Sequence, residues 1–196
     1  MVRYCYAAGL ADAVQGGMVS AYIALLRAVN VGSGRAVPMA QLRAMATDMG
    51  YAQPRTLLQS GNLVFEAKAG KAATIERALE VELRRRFGFD IPCIMRSATE
   101  WTSIVAGNPF ARETAENPAQ VLVMALKAAP DAAGIAALHE SYAGPESIHV
   151  EGRQAYLVYP EGIGRSRLTM ALLERKLGVT GTARNWNTVL KLAAMV

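Results

Sequence analysis

Arginines beside hydroxyl and amide side chains occur twice in the last third of this chain, in Y-P-E-G-I-G-R-S-R-L-T at 159–169 and T-A-R-N-W-N-T-V-L-K-L at 182–192. Each segment follows a predicted strand and opens a predicted helix. The first backbone N–H groups of a helix have no partner within it, so such a junction can receive an anion. Arg165, Arg167 and Arg184 would supply fixed positive charge in a planar fork suited to phosphate or carboxylate, with Lys191 further along the last helix. Ser166, Asn185 and Asn187 would supply hydrogen bonds. A purely structural account competes with this one. Ser166 and Asn185 are each placed as N-caps, and Glu161 could pair with one of the arginines. Trp186 is read first as core beside Val189 and Leu190, with a stacking platform for a base as the alternative.

Other constellations are thinner. Asn30 and Arg35, in the loop N-V-G-S-G-R, could form a second polar patch with Asn62 of the turn Ser60-Gly61-Asn62. That loop lacks the third glycine of a dinucleotide fingerprint and the Lys-Ser/Thr of a Walker motif, so its glycines read as turn formers. The two histidines, His139 and His149, have no accompanying serine or cysteine motif. Glu76, Glu80 and Glu82 read as a solvated helix face, and Arg84, Arg85 and Arg86 as cations complementing a helix C-terminus. His, Asp and Cys do not cluster at metal-ligand spacing, so neither a metal nor another cofactor is expected.

The elements that would position these residues follow from periodicity and punctuation. The β-rich run 22–29 precedes a helix from Pro38 to Met49, stopped by Gly50. A hairpin turns at Ser60-Gly61-Asn62, an amphipathic helix runs from about Lys71 to Phe87, and 90–96 is a strand. Ser97 and Glu100 form a capping box opening a connecting helix, which Asn108-Pro109 stops. A strand at 120–126, a short helix capped by Asp131, a hairpin around Glu151-Gly152-Arg153, a helix from Arg167 to Leu177, a strand ending at Arg184 and a helix from Trp186 repeat the order βαββαβ. The repeat is topological, with no strong residue-level counterpart visible. In a 4-1-3-2 antiparallel sheet the third and fourth strands run the same way about 10 Å apart. The loop Gly162–Arg167 and the junction Arg184–Asn187 would then share one sheet edge.

Composition bounds these readings. With 196 residues, 52% hydrophobic and 19% charged, the chain can bury a substantial core as one domain or two small lobes. A formal charge of +5 favours anionic partners without separating metabolites from nucleic acid. Cys5 and Cys93 lie far apart, and reduced thiols in a cytoplasm are the natural reading. No stretch is apolar enough to span a bilayer, and Asp12 and Gln15 interrupt the apolar patch a signal peptide would need. Residues 1–17 read as a mobile upstream extension preceding Met18.

Several of these segments also carry a resemblance. Together with A-L-L-R-A-V-N-V-G at 24–32, V-P-M near 37–39 and L-Q-S-G-N-L-V-F at 58–65, they resemble the bacterial family catalogued as domain of unknown function 1697, from about Tyr22 to about Leu192. The resemblance implies two ferredoxin-like modules and no settled activity. Ala28 departs from the pattern, standing where members usually carry glycine, which puts a close backbone approach there in question. The resulting expectation is an α+β fold of two ferredoxin-like βαββαβ units in tandem: 1–19 an extension, 20–97 the first unit, 98–118 a connecting helix and loop, 119–196 the second unit. For function, the expectation is an uncharacterised cytoplasmic protein binding a phosphorylated or other anionic small ligand. The alternatives are sequence-tolerant nucleic-acid binding, an enzyme whose acid or base is Glu161 or a histidine, and an oligomerisation module pairing through edge strands.

Overall fold

The computed structural model describes residues 19–32, 34–70 and 72–196, so Cys5 and nearly all of the expected extension lie outside the described residues. In chain order the elements are β1 (Val19–Leu26), α1 (Met39–Asp48), β2 (Ala52–Leu57), β3 (Asn62–Lys68), α2 (Ala72–Phe87), β4 (Cys93–Ser97), α3 (Ala98–Ala106) and α4 (Ala111–Glu116). They continue as β5 (Val121–Leu126), α5 (Ala132–Ser141), β6 (Ser147–Glu151), β7 (Gln154–Val158), α6 (Met170–Leu177), β8 (Gly181–Asn185) and α7 (Trp186–Ala193). This is a mixed α+β fold with two four-stranded sheets, ordered β2-β3-β1-β4 and β6-β7-β5-β8. All neighbouring strands are antiparallel, in the expected 4-1-3-2 order.

Strand alternation sorts the apolar residues into three layers. Tyr22, Ala24, Leu26 and Phe65 face α1 and α2, whereas Ile23, Leu25, Val64 and Ile94 face the second sheet. The second sheet answers with Val121, Val123 and Tyr156 on its inner face, and α3 and α7 complete this middle layer with Trp101, Trp186, Val189 and Leu192. Its outer face, with Met124, Leu126 and Leu157, packs on α5 and α6. Both central strands are therefore buried on two faces, which is why β1 and β5 read as continuous apolar runs.

Local signals explain most boundaries. The capping box is present, with the Ser97 hydroxyl accepting from Glu100 N (3.2 Å) and Ser97 N donating to the Glu100 carboxylate (2.8 Å). Asp131 and Asn185 cap α5 and α7 as expected. Helix α6 corrects the reading. It starts at Met170 rather than Arg167, because Thr169 rather than Ser166 is its N-cap, accepting from Leu172 N (3.2 Å). Helix α4 was not expected; it has no buried residue and carries an Arg112–Glu116 pair at 2.9 Å.

Strand β1 also stops earlier than its apolar run, because Ala28 takes φ +54° and Asn30 φ +56°. The glycine usual at position 28 therefore answers a left-handed backbone. The close approach lies instead at Gly61 (φ +72°), where a Cβ would sit 2.6 Å from Val29 Cγ2 and 2.7 Å from Leu26 Cβ.

The glutamates of α2 are not a solvated face. Glu80 accepts from Cys93 N and Glu76 from Met95 N, each at 2.9 Å, so they occupy N–H groups on the outer side of β4. Glu174 of α6 does the same for Gly181 N of β8 (2.9 Å). Both edges are thereby blunted against intermolecular pairing. The three arginines 84–86 are engaged by Asp90 (3.0 Å), Glu82 (2.6 Å) and Asp48 (2.5 Å), in keeping with a structural role at the end of α2.

These contacts belong to a residue-level repeat that sequence inspection misses. Arg96 lies opposite Ile23 and Arg184 opposite Val123, so the two arginines hold the same place in their sheets. Each donates to the carbonyl ending the other sheet's first strand: Arg96 Nη2 to Leu126 O (2.9 Å) and Arg184 Nη2 to Leu26 O (3.0 Å). Each also reaches the other sheet's hairpin turn, at Arg153 O and at Ser60 O. Outside them, Arg27 pairs with Glu174 (2.7 Å) and Lys127 with Glu80, again reciprocally. Such exchange is the signature of a two-fold, self-complementary interface, here within one chain.

Two outcomes follow from this geometry. Arg184→Ala leaves five acceptors without their donor, three of them in buried bonds, and should cost about 3 kcal/mol or more in urea unfolding, whereas Arg27→Ala, at a partly exposed pair, should cost under about 1 kcal/mol. Equal losses would show that the buried arginine is not the stronger tie. Ala28→Gly relieves a left-handed alanine and should raise stability by roughly 0.5–1 kcal/mol; an unchanged or lower urea midpoint would contradict it.

Candidate functional site

Gln120 Nε2 donates to Pro160 O (2.8 Å) where the chain leaves β7, and Gly162 turns it with φ +81°. Buried Tyr159 donates through its hydroxyl to Leu168 O (2.9 Å), so both ends of the loop are tied down. The intervening residues, including a 3-10 turn at Ile163–Arg165, project over the segment that links α5 to β6. Between the two lies a cleft of about 640 Å³, lined among others by Tyr142, Glu146, Glu161, Arg165, Ser166 and Arg167.

Glu146 organises this cleft. Its carboxylate accepts from the hydroxyls of both Tyr142 and Ser166, and Ser166 Oγ in turn accepts from Leu168 N (2.9 Å). Burial opposes ionisation of Glu146, but the Ser166 and Tyr142 hydrogen bonds outweigh it and hold the carboxyl below its ordinary range. Desolvation and then the bond to Glu146 push the Tyr142 phenol up. A Cβ at Gly144 would run into both the Tyr142 hydroxyl and the Glu146 carboxylate, so a side chain there would displace the Tyr142–Glu146 contact. Arg165, Arg167 and Glu161 are exposed, and among the described residues their side chains make no hydrogen bond or ion pair. The expected Glu161–arginine pair is thus not formed.

The two highlighted segments do leave the second sheet at one end, since Val158 pairs with Val121 and Asn185 with Leu122. They do not converge. Helix α6 packs on the outer face of that sheet and α7 on the inner, so their N-termini are on opposite sides. Arg184 is 8% exposed, and its guanidinium is spent on Asn62 Oδ1 (2.5 Å), Thr182 Oγ1 (2.9 Å) and three carbonyls. Desolvation lowers it to about 10, still charged at neutral pH. Asn185 serves Thr188 N (3.0 Å) and the Thr188 hydroxyl, while Asn187 is exposed on α7.

The second patch is likewise structural. Asn30 donates to Val37 O (3.0 Å) and Gln59 O (2.6 Å) and accepts from Val37 N, so the expected meeting of loop and turn occurs. Asn62 is fully buried between Leu57 O, Ser60 Oγ and Arg184. Arg35 stands 5.8 Å over the Phe89 ring instead of joining them.

The nucleic-acid alternative loses its aromatic groups. Trp186 is 7% exposed in the middle layer, so it offers no platform for a base. Tyr22 and Phe65 stack in the first core, not on an open sheet face. His149 lies tilted 6.1 Å from the Tyr156 ring, and Cys93 is buried with its thiol pushed up by desolvation. Among the described residues no three His, Cys, Asp or Glu side chains cluster as a metal site. No described helix is long and apolar enough to cross a membrane. Sequence reasoning missed Tyr142 and Glu146, whose one local signal is the Gly144-Pro145 turn between them.

Because the folded Glu146 ionises more readily than an unfolded glutamate, its contribution is complete above the ordinary value, about 4.3, and fades as pH falls through the lower folded value. Glu146→Gln should therefore show a shallower loss of stability than wild type as urea midpoints are followed from about pH 5 down to about pH 3. Parallel curves would mean that the carboxylate is not preferentially ionised in the folded state.

The fold recurs in a conserved bacterial protein, SP0830 from Streptococcus pneumoniae, whose solved structure superposes with a TM-score of 0.72 at 22% identity over 91% of this chain and 99% of that one. Comparison with curated proteins gives no match. The family described as "Protein of unknown function (DUF1697)" matches residues 19–156, a stretch that takes in the Asn30 loop, the Ser60-Gly61-Asn62 turn and Glu146 but ends before 159–169 and 182–192. With well over half of its length matched, the chain belongs to the DUF1697 family.

Proposed function

We propose that this protein binds a small molecule through an anionic group, phosphate or carboxylate, in the cleft between the 142–146 segment and the 160–167 loop. The carrying observation is the pair of arginines, Arg165 and Arg167, which border a cavity of about 640 Å³ with no protein partner among the described residues. Ser166 sits between them, with its hydroxyl proton given to Glu146 and its oxygen accepting from Leu168 N, so the arginines carry the anion recognition. Arg184, Asn185 and Asn187 have no part in this cleft; the first two hold the two sheets and α7.

The scaffold fits two ferredoxin-like βαββαβ units in tandem, 20–97 and 119–196, joined by 98–118. This reading rests on the sheet orders and on the reciprocal arginines. A cytoplasmic location agrees with the buried thiol of Cys93.

Thermal unfolding in the presence of phosphorylated and carboxylated metabolites tests the reading. A ligand at about 100 times its Kd adds roughly 2.7 kcal/mol to a native state it alone recognises. Wild type should be stabilised, and Arg165→Ala/Arg167→Ala should lose the shift while melting unliganded within about 1–2 °C of wild type, since both side chains are exposed. Stabilisation retained in the double variant would place the ligand elsewhere. No stabilisation by any anion would end the proposal.

A further inference from the structure

The cleft that borders Arg165 and Arg167 also holds two carboxylates, Glu146 and Glu161. Two arginines and two glutamates make its lining close to neutral, with both signs of charge bordering one cavity. A plain anion would gain from the arginines and be repelled by the carboxylates. Glu146 is preoriented by the Tyr142 and Ser166 hydroxyls, which take one site on each of its two oxygens; an ionised carboxylate offers about four lone-pair sites. The remaining sites are open to a further donor, and Glu161 accepts from no side chain or backbone group among the described residues. Glycine at 144 keeps side-chain bulk away from the Tyr142–Glu146 contact.

We infer that the natural ligand is zwitterionic: its anionic group meets Arg165 and Arg167, and an ammonium or comparable cationic group a few bonds away meets Glu146 and Glu161. This rests on the reading of the cleft given above and narrows it to a class, small aminoalkyl phosphates or amino acids. The shared chemistry is one anion and one ammonium on a short chain. Neutralising both groups at once also removes the charge cost that either would meet alone in a half-enclosed cavity.

Matched probe pairs separate the possibilities, using the full chain and isothermal titration or amide-shift titration. O-phosphoethanolamine is compared with ethyl phosphate, and β-alanine with propionate, so that each pair differs in the amine. The amine-bearing member should bind about tenfold tighter or more, as a charge-assisted hydrogen bond of ordinary strength implies. The pair that shows binding tells whether phosphate or carboxylate is the anion. Glu161→Gln, an exposed change that leaves the Tyr142–Glu146–Ser166 contacts alone, should shrink that preference to within about threefold by weakening the amine member and strengthening the amine-free one. Glu146→Gln should act in the same direction. If amine-free probes bind as tightly as their partners, or the preference survives both glutamine variants, the zwitterion inference is overturned while anion binding stands. If no probe of either pair binds, both readings fall together.

Discussion

Arg96 and Arg184 cross between the two sheets in opposite directions, each ending on the carbonyl at which the other sheet's first strand finishes. A guanidinium placed there is costly, because burial pushes both arginines down to about 10. Among the described residues no carboxylate hydrogen-bonds to either one directly; neutral acceptors, chiefly at strand ends and hairpin turns, take up the donors. Those acceptors exist only when the two sheets face each other in this one register. An apolar contact of the same area would tolerate sliding, whereas forked donors aimed at fixed carbonyls do not. The pairs Arg27–Glu174 and Lys127–Glu80 repeat the logic at the periphery and add a second duty, since the same carboxylates hold N–H groups of β8 and β4.

That arrangement decides where chemistry can occur. The face of the second sheet that receives Arg184 and α7 is committed to the first sheet, and its polar residues are satisfied within the protein. The loop before α6 emerges on the opposite face, beside the end of α5 and the 142–146 segment. Charged side chains left unpaired are therefore found at Glu161, Arg165 and Arg167 and not at the more conspicuous Arg-Asn-Trp-Asn run. A motif that looks like a binding signature is in this case an assembly device. Its arginine ties the sheets, its asparagine caps the helix, and its tryptophan fills the layer between them.

The cleft itself rests on a short chain of hydroxyls and one carboxylate. Tyr142, Glu146 and Ser166 come from two separate connections, and their mutual bonds hold the 160–167 loop against the 142–146 segment. Those donors favour the ionised form of Glu146 as well as fixing its position, so they bear on both the shape of the cleft and its charge. Gly144 and Gly162 serve it differently, one by leaving room and the other by supplying a left-handed turn.

Residue order alone determined a good deal. β-rich runs between turn residues marked the β-strands, the Ser97–Glu100, Asp131 and Asn185 caps marked three helix starts, and the βαββαβ order led to the observed strand order in both sheets. These features depend on neighbours within a few residues, and local physics is written locally. Ser166 shows the limit: Thr169, three residues on, competes for the same helix, and only the docking of Glu146 on Ser166 decides between them. The reciprocal arginines were invisible because equivalence between Arg96 and Arg184 is a matter of register in two sheets, not of flanking sequence. The fate of Arg184 and the composition of the cleft were decided by tertiary structure. Which charges remain free depends on which sheet face each helix covers, and that is settled only when the two sheets meet.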